Sequence, residues 1–317
     1  MKKKVAFMTR HHSTLICEEA RAMLKDAGFE IVSNDTGRIL SREEQKALIR
    51  DAYAIIAGTE KYDREMLEGC DNLKVVTRFG VGTDNFDLQT MREMGLQVGV
   101  IANYNAVAEF ALTLILSVMK NLPRYDVAVR DGKWSRFSMR ELTGKTVGLV
   151  GFGRIGRRLA ELLSGFGVTI LAYDPFINEE AAKERNVQVA GLEELLEKSD
   201  VVSLHLPSTK ETHHLINAET IQMMKDGAYL INTARGSLVD EQALYGALVS
   251  GKLSGASLDV FEKEPVTKEN PLFVLENTVL APHVSALTYE TNYNGGLICA
   301  ESIIRVANGE KPVYPLW

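Results

Sequence analysis

Three residues towards the end of the chain have the types and setting to do chemistry. Arg235 stands in Ile231-Asn232-Thr233-Ala234-Arg235-Gly236. Glu264 stands in Leu258-Asp259-Val260-Phe261-Glu262-Lys263-Glu264-Pro265, and His283 in Ala281-Pro282-His283-Val284-Ser285. A guanidinium fork grips a carboxylate and polarises a carbonyl beside it. An imidazole titrates near neutrality, so it can give a proton to a forming alkoxide or take one back. A carboxylate beside that imidazole orients the ring and favours its charged form. Together these groups suit hydride transfer to a 2-oxo acid. Singly each is often only a solvated or structural residue. What sets them apart is that each lies just past the carboxyl end of a predicted strand, where open α/β sheets bind ligands.

The hydride source is legible upstream. Val147-Gly148-Leu149-Val150 reads as a buried strand, Gly151-Phe152-Gly153-Arg154-Ile155-Gly156 as a turn into a helix, and Thr169-Ile170-Leu171-Ala172-Tyr173 as the next strand, with Asp174 at its end. In that context the glycine spacing means dinucleotide binding. Gly151 permits the tight turn, Gly153 admits a pyrophosphate and Gly156 allows close helix–strand packing. The helix start offers unpaired N–H groups and a positive dipole end to the phosphates. Asp174, 18 residues after Gly156, accepts hydrogen bonds from ribose hydroxyls and repels a 2′-phosphate, so the expected cofactor is NAD.

These groups need elements to hold them. The first hundred residues alternate strand and helix: strands at Val5–Met8, Ile31-Val32, Ala54–Ala57, Val75-Val76 and Val98–Val100, with a helix over Leu15–Ala27 stopped by Gly28. The turn after the first strand, Thr9-Arg10-His11-His12-Ser13, has no glycine cradle. A second alternating block runs from about Val147 to Pro282, with strands at Val201–Leu204, Tyr229–Asn232, Ser254–Leu258 and Thr278–Leu280. A long helix, about Val107–Lys120, joins the blocks and leads into a polar loop holding Trp134, Arg136 and Phe137. A last helix, roughly Thr291–Ala307, is free to return to the first block. Such alternation implies parallel sheets covered by helices, an α/β chain.

The bulk numbers agree. At 317 residues, 45% apolar and 25% charged, the chain has room for two globular domains. A net charge of −6 argues against a general nucleic-acid binder. Cys17, Cys70 and Cys299 lie far apart, giving neither a disulfide framework nor a metal spacing, and point to a reducing, cytoplasmic setting. The basic start Met1-Lys2-Lys3-Lys4 precedes only a short apolar run, and Phe110–Met119 is too short to span a bilayer. No membrane role is expected.

At these motifs the chain resembles the D-isomer-specific 2-hydroxy acid dehydrogenases. The resemblance runs through Arg78-Phe79-Gly80-Val81-Gly82-Thr83-Asp84-Asn85, then Asn103 with Ala106-Val107-Ala108-Glu109, the glycine fingerprint, Asn232–Gly236, Asp259–Pro265 and Pro282-His283. It implies two Rossmann-like domains with the active site in the cleft between them. Residues 1–101 plus 287–317 would form a flavodoxin-like substrate domain and 102–286 the NAD-binding domain, through which the chain would dimerise. It implies Arg235, Glu264 and His283 as the catalytic set, and substrate contacts at Gly80, Val81 and Asn103. Cofactor contacts would fall at Gly151, Gly153, Arg154, Ile155, Gly156, Asp174, Pro207, Thr233 and Asp259, the last in a supporting place. Arg78 reads either as a surface charge or as a contact for a substrate anion. His205 reads as packing near the cofactor; His11, His12, His213 and His214 as surface or turn residues; Trp134 as dimer or core packing.

Departures within the family narrow the substrate. Formate-oxidising members carry Gln in place of Glu264, and phosphite-oxidising members carry Lys in place of Val81. The aromatic residues that follow the histidine in D-lactate members are here Ser285-Ala286-Leu287. The resemblance is strongest to members acting on 3-phosphoglycerate, with hydroxypyruvate or glyoxylate reduction next. Yet the Arg common in the former after the third strand is replaced by Ala57-Gly58, with Lys61 as a possible substitute, and Val100-Ile101 stands where Thr-Pro is usual. A C-terminal regulatory domain is not expected after Trp317. A different class also fits this fold, an NAD(H)-sensing corepressor that binds protein partners. Robust turnover of a small 2-oxo acid separates the two.

Overall fold

The computed structural model describes residues 2–8, 17–36, 38, 40–101 and 104–317. The chain divides into two compact units, Met1–Asn103 with Leu287–Trp317, and Tyr104–Ala286. The expected turn Thr9–Ser13, with His11 and His12, lies outside the described residues, as do Leu15 and Asn103.

The first unit carries a parallel sheet ordered β2-β1-β3-β4-β5, of strands β1 (Lys4–Phe7), β2 (Glu30–Ser33), β3 (Ala52–Ala57), β4 (Val75–Arg78) and β5 (Gln97–Val100). Side chains alternate between the two faces. Val5 and Phe7 join one core with Ala54, Ile56, Cys299 and Ile303, while Ala6 and Met8 join another with Ile55, Met66 and Met91. A strand buried on both faces has no polar side to show, hence the apolar run Ala54-Ile55-Ile56-Ala57. The returning helix Tyr289–Ala307, capped by the Thr288 hydroxyl accepting from Thr291 N–H, covers one face.

The second unit carries a seven-stranded parallel sheet ordered β12-β11-β10-β9-β6-β7-β8. Its strands are β6 (Thr146–Val150), β7 (Thr169–Tyr173), β8 (Gln188–Val189), β9 (Val201–Leu204), β10 (Ala228–Asn232), β11 (Leu253–Leu258) and β12 (Thr278–Leu280). The order reverses between β6 and β9, which places a crevice outside their carboxyl ends. Helices Arg154–Leu163 and Tyr104–Met119 share one face, with Leu159 and Leu163 packed among Ala111, Leu114 and Ile115. Each fully buried leucine contributes about 1.5–3 kcal/mol.

Helix Leu122–Arg130 occupies part of what reads from sequence as a polar loop. Pro123 looks like a breaker, but it sits in the first turn, where its missing N–H has no intrahelical partner to lose. Trp134 is 80% exposed, so core packing is excluded for it. Among the described residues no single helix is long and apolar enough to cross a membrane.

Candidate active site

At the β6–β9 reversal the fingerprint glycines occupy unequal surroundings. Gly151 has φ +105°, and a Cβ there would fall 2.6 Å from the His205 backbone and 2.8 Å from Leu206 N. A Cβ on Gly156 would fall 2.3 Å from the Gly151 carbonyl oxygen. These two glycines let strand, turn and helix touch. Gly153 is different: a Cβ would meet nothing within 4 Å. It leaves an open face at the start of helix Arg154–Leu163, where N–H groups and the dipole favour an anion. Asp174 is held at the same turn, its Oδ2 accepting from Phe152 N–H at 2.8 Å and its Oδ1 from Phe176 N–H at 2.9 Å. Arg154 and Pro207 are exposed and Ile155 is half-buried. Thr233, 6% exposed, has a buried hydroxyl with no partner among the described residues. An open glycine cradle, an acid at the second strand's end and an unsatisfied hydroxyl fit a dinucleotide.

Arg235 is set by its own turn. The Asn232 side chain accepts from Ala234 N–H at 3.0 Å and donates to the Arg235 carbonyl at 2.8 Å. Gly236 has no room for a side chain: a Cβ would lie 1.9 Å from the Phe261 carbonyl carbon. The Arg235 loop and the Glu264 loop therefore touch backbone to backbone. Glu264 accepts from Phe261 N–H at 3.0 Å through Oε1, and its Oε2 lies 2.7 Å from His283 Nδ1. Burial pushes the Glu264 carboxyl up, but His283, the Phe261 N–H and the nearby Arg235 charge outweigh it and leave the carboxyl below its ordinary value.

His283 has a left-handed backbone, φ +55°. For a non-glycine residue that conformation costs on the order of 1–3 kcal/mol and persists only where neighbours enforce it. Here they do: His283 N–H donates to the Asp259 carbonyl at 2.7 Å, and the Asp259 carboxylate accepts from Val284 and Ser285 N–H at 2.8 and 2.9 Å. Asp259, expected among the cofactor contacts, is fully buried. Its carboxylate braces the histidine loop.

Other partners are invisible in one dimension. His214, also left-handed at φ +49°, pairs with Glu262 and donates its N–H to the Ser237 carbonyl. It braces the Glu264 loop against the Arg235 turn and is more than the surface residue its polar surroundings suggest. His205 bonds Ser203 Oγ at 3.0 Å, and burial pushes its imidazole down to about 4. It is a neutral wall beside Gly151.

In the first unit, Arg78 at the end of β4 is not a loose surface charge. Its guanidinium donates to the carbonyls of Gly82 at 3.0 Å, Phe79 at 3.1 Å and Ala57 at 3.4 Å. It shapes the turn that carries Gly80 and the exposed Val81. The neighbouring turn, after β3, carries Glu60, half-buried, a residue the sequence reading passed over. Its carboxylate accepts from Gly58 N–H at 3.0 Å and Tyr62 OH at 3.3 Å. Burial pushes Glu60 up from the ordinary value, against the Gly58 N–H and the Arg78 charge. Lys61, the expected substitute for a missing Arg, points into solvent, 75% exposed and 3.3 Å from Asp63.

Known proteins share this arrangement. The family model for the D-isomer specific 2-hydroxyacid dehydrogenase NAD binding domain matches residues 112–285. A D-3-phosphoglycerate dehydrogenase of Archaeoglobus fulgidus is 40% identical over 93% of this chain, which spans only 56% of that protein's length. A glyoxylate reductase of Thermofilum pendens is 41% identical over 98% of this chain and 94% of its own. The crystal structure of the TT0316 protein from Thermus thermophilus superposes with a TM-score of 0.88 at 33% identity, covering 99% of this chain and all of that one.

Proposed function

Because the chain belongs to the D-isomer specific 2-hydroxyacid dehydrogenase family, we propose that it interconverts a small 2-oxo acid and its 2-hydroxy acid with NAD(H). The observation that carries this reading is the 2.7 Å contact between His283 Nδ1 and Glu264 Oε2, on loops packed against the Arg235 turn. Both substrate names appear among relatives at similar identity: phosphoglycerate at 40%, glyoxylate at 41%. The commitment here is therefore to the 2-oxo acid class.

Arg235 holds the substrate carboxylate and draws electron density from the adjacent carbonyl. His283 commits Nδ1 to Glu264, which leaves Nε2 to face the carbonyl oxygen. NADH, when bound across Gly151–Gly156 and Asp174, supplies the hydride to the carbonyl carbon. As the carbonyl's π pair moves onto oxygen, His283 Nε2 delivers its proton there, and Glu264 stabilises the imidazolium until it does. Oxidation runs in reverse, with neutral His283 as base. Asp174 sets NAD above NADP, since its carboxylate repels a 2′-phosphate.

The test is NADH consumption with glyoxylate, hydroxypyruvate, phosphohydroxypyruvate and pyruvate, repeated with NADPH. Turnover of at least one acid with NADH, and little with NADPH, supports the reading. No turnover of any overturns it. We also propose a homodimer through the NAD-binding unit, because Leu122, Val127, Val129, Trp134 and Met139 all stand more than half exposed there. Light scattering showing a monomer at micromolar concentration would contradict this.

A further inference from the structure

From the contacts of His214 we propose that it is a positioning residue for the reduction: by tying Glu262 to Ser237 it fixes where the Glu264 carboxylate stands relative to His283 and the Arg235 turn. The inference rests on the dehydrogenase reading above. It begins with topology. β9, β10 and β11 are neighbours in one parallel sheet, so the segments that follow them leave its carboxyl edge side by side. His214 lies on the first segment, Arg235 and Ser237 on the second, Glu262 and Glu264 on the third.

His214 joins the first segment to both of the others. Its N–H donates to the Ser237 carbonyl at 2.8 Å, in the turn directly after Arg235. Its Nε2 pairs with Glu262 Oε1, two residues before Glu264. A carboxylate only accepts, so Nε2 carries the hydrogen of that bond whether or not the ring is charged. The ring and its backbone are themselves held. His213 stacks on the ring with centroids 4.1 Å apart, and Asn217 Nδ2 donates to the His214 carbonyl at 3.0 Å.

The link to the chemistry is one peptide long. Glu262 follows Phe261, whose N–H donates to Glu264 Oε1 at 3.0 Å, and Glu264 Oε2 is the atom 2.7 Å from His283 Nδ1. A drift of the Phe261-Glu262 peptide therefore carries the carboxylate with it. Gly236 blocks drift towards the Arg235 turn, since a Cβ there would already lie 1.9 Å from the Phe261 carbonyl carbon. Such a contact resists approach far more than separation. Separation is resisted by hydrogen bonds: Glu262 N–H to Glu241 Oε1 at 2.7 Å, and the Glu262 side chain to His214. Glu241 anchors the peptide to helix Glu241–Ser250, and Asn270 Nδ2 holds it there at 2.7 Å. His214 anchors it to the Arg235 turn, the element whose distance from Glu264 matters to the reaction.

The experiment measures kcat, KM and the pH dependence of kcat/KM with saturating NADH and whichever of the four acids above turns over fastest. It compares the wild type, His214→Asn, Glu262→Ala, Glu262→Gln, Glu264→Gln and the double variant His214→Asn with Glu264→Gln, and records each melting temperature. Asparagine accepts a left-handed backbone but lacks Nε2. The Glu262 side chain is 35% exposed, so truncating it weighs little on folding. His214→Asn and Glu262→Ala should each lower kcat about tenfold, the scale of a sub-ångström misplacement. Glu262→Gln, whose amide oxygen still accepts from Nε2, should retain most of the activity. The high-pH fall of reduction should move down in His214→Asn, because a displaced Glu264 stabilises the imidazolium less. The double variant should fall no lower than Glu264→Gln, since both changes act through one carboxylate. An unchanged kcat in both His214→Asn and Glu262→Ala overturns this inference and leaves the dehydrogenase reading intact. A lowered melting temperature with an unmoved pH profile does the same. If His214→Asn does not fold, the comparison of Glu262→Ala with Glu262→Gln decides, and equal losses in the two overturn the inference. Absence of wild-type turnover with all four acids overturns the dehydrogenase reading, and this inference with it.

Discussion

Two glycine turns follow parallel strands in this chain, one after β4 and one after β6, and they are built to opposite ends. After β6, Gly153 leaves open space at a helix start, and Asp174 stands at the rim. After β4, the space against Gly80 is filled by the chain's own Arg78, which donates to the carbonyls of Gly82, Phe79 and Ala57. The first turn exposes backbone donors to a polyanion. The second is closed by the protein's own side chain. Glycine in a turn therefore says only that backbone comes close to something. Whether that is a ligand or the protein's own side chain depends on tertiary neighbours.

The largest effect should come from His283→Ala, a loss of turnover on the order of 10²–10⁴, since the proposed mechanism routes the proton through this residue. Steady-state kinetics with NADH checks it, and a loss below tenfold would remove His283 from the mechanism. The glycine contrast is broken next by a matched pair. Gly153→Val should keep its melting temperature and lose NADH affinity by on the order of 10²-fold, because only the cradle is filled. Gly156→Ala should instead lose about 1–3 kcal/mol of stability, because its Cβ meets the Gly151 carbonyl. If both variants behave alike in thermal melts and NADH titration, the distinction between open and closed glycines fails.

Asp174→Ala should weaken NAD by about ten- to a hundredfold through lost hydrogen bonds of roughly 1–3 kcal/mol. An unchanged dissociation constant would remove Asp174 from the site. The smallest effect concerns His205. Its imidazole, at about 4, is already neutral throughout the working range. His205→Asn should leave the pH limbs of kcat/KM where they are, and a moved limb would give His205 a role in proton transfer.

Much of this was legible in one dimension, and the exceptions share a cause. The fold was readable because parallel strands buried on both faces must be apolar, as in Ala54–Ala57 and Val201–Leu204. The glycine turn and the Arg235, Glu264 and His283 set were readable because each follows such a strand. Helix Leu122–Arg130 was not, because a proline is as common at a helix start as in a loop. Glu60 was not, because Thr59-Glu60-Lys61 reads as a solvated charged turn. The bonds from Gly58 N–H and Tyr62 OH draw its carboxylate inward, and Asn85 Nδ2 holds its backbone carbonyl. How Asp259 braces the histidine loop is likewise visible only in three dimensions. A buried carboxylate needs donors, and the nearest are the amides of the histidine loop.

The account stands on Glu264 and His283 acting as one acid. The most direct test is the pH dependence of kcat/KM for NADH-dependent reduction in the wild type and in Glu264→Gln. Reduction requires a proton on His283, and Glu264, held below its ordinary value, is ionised through the neutral range with Oε2 2.7 Å from Nδ1. Removing the carboxylate's charge should move the high-pH fall of reduction downwards. A fall at the same pH in both proteins would contradict the pairing on which the mechanism rests.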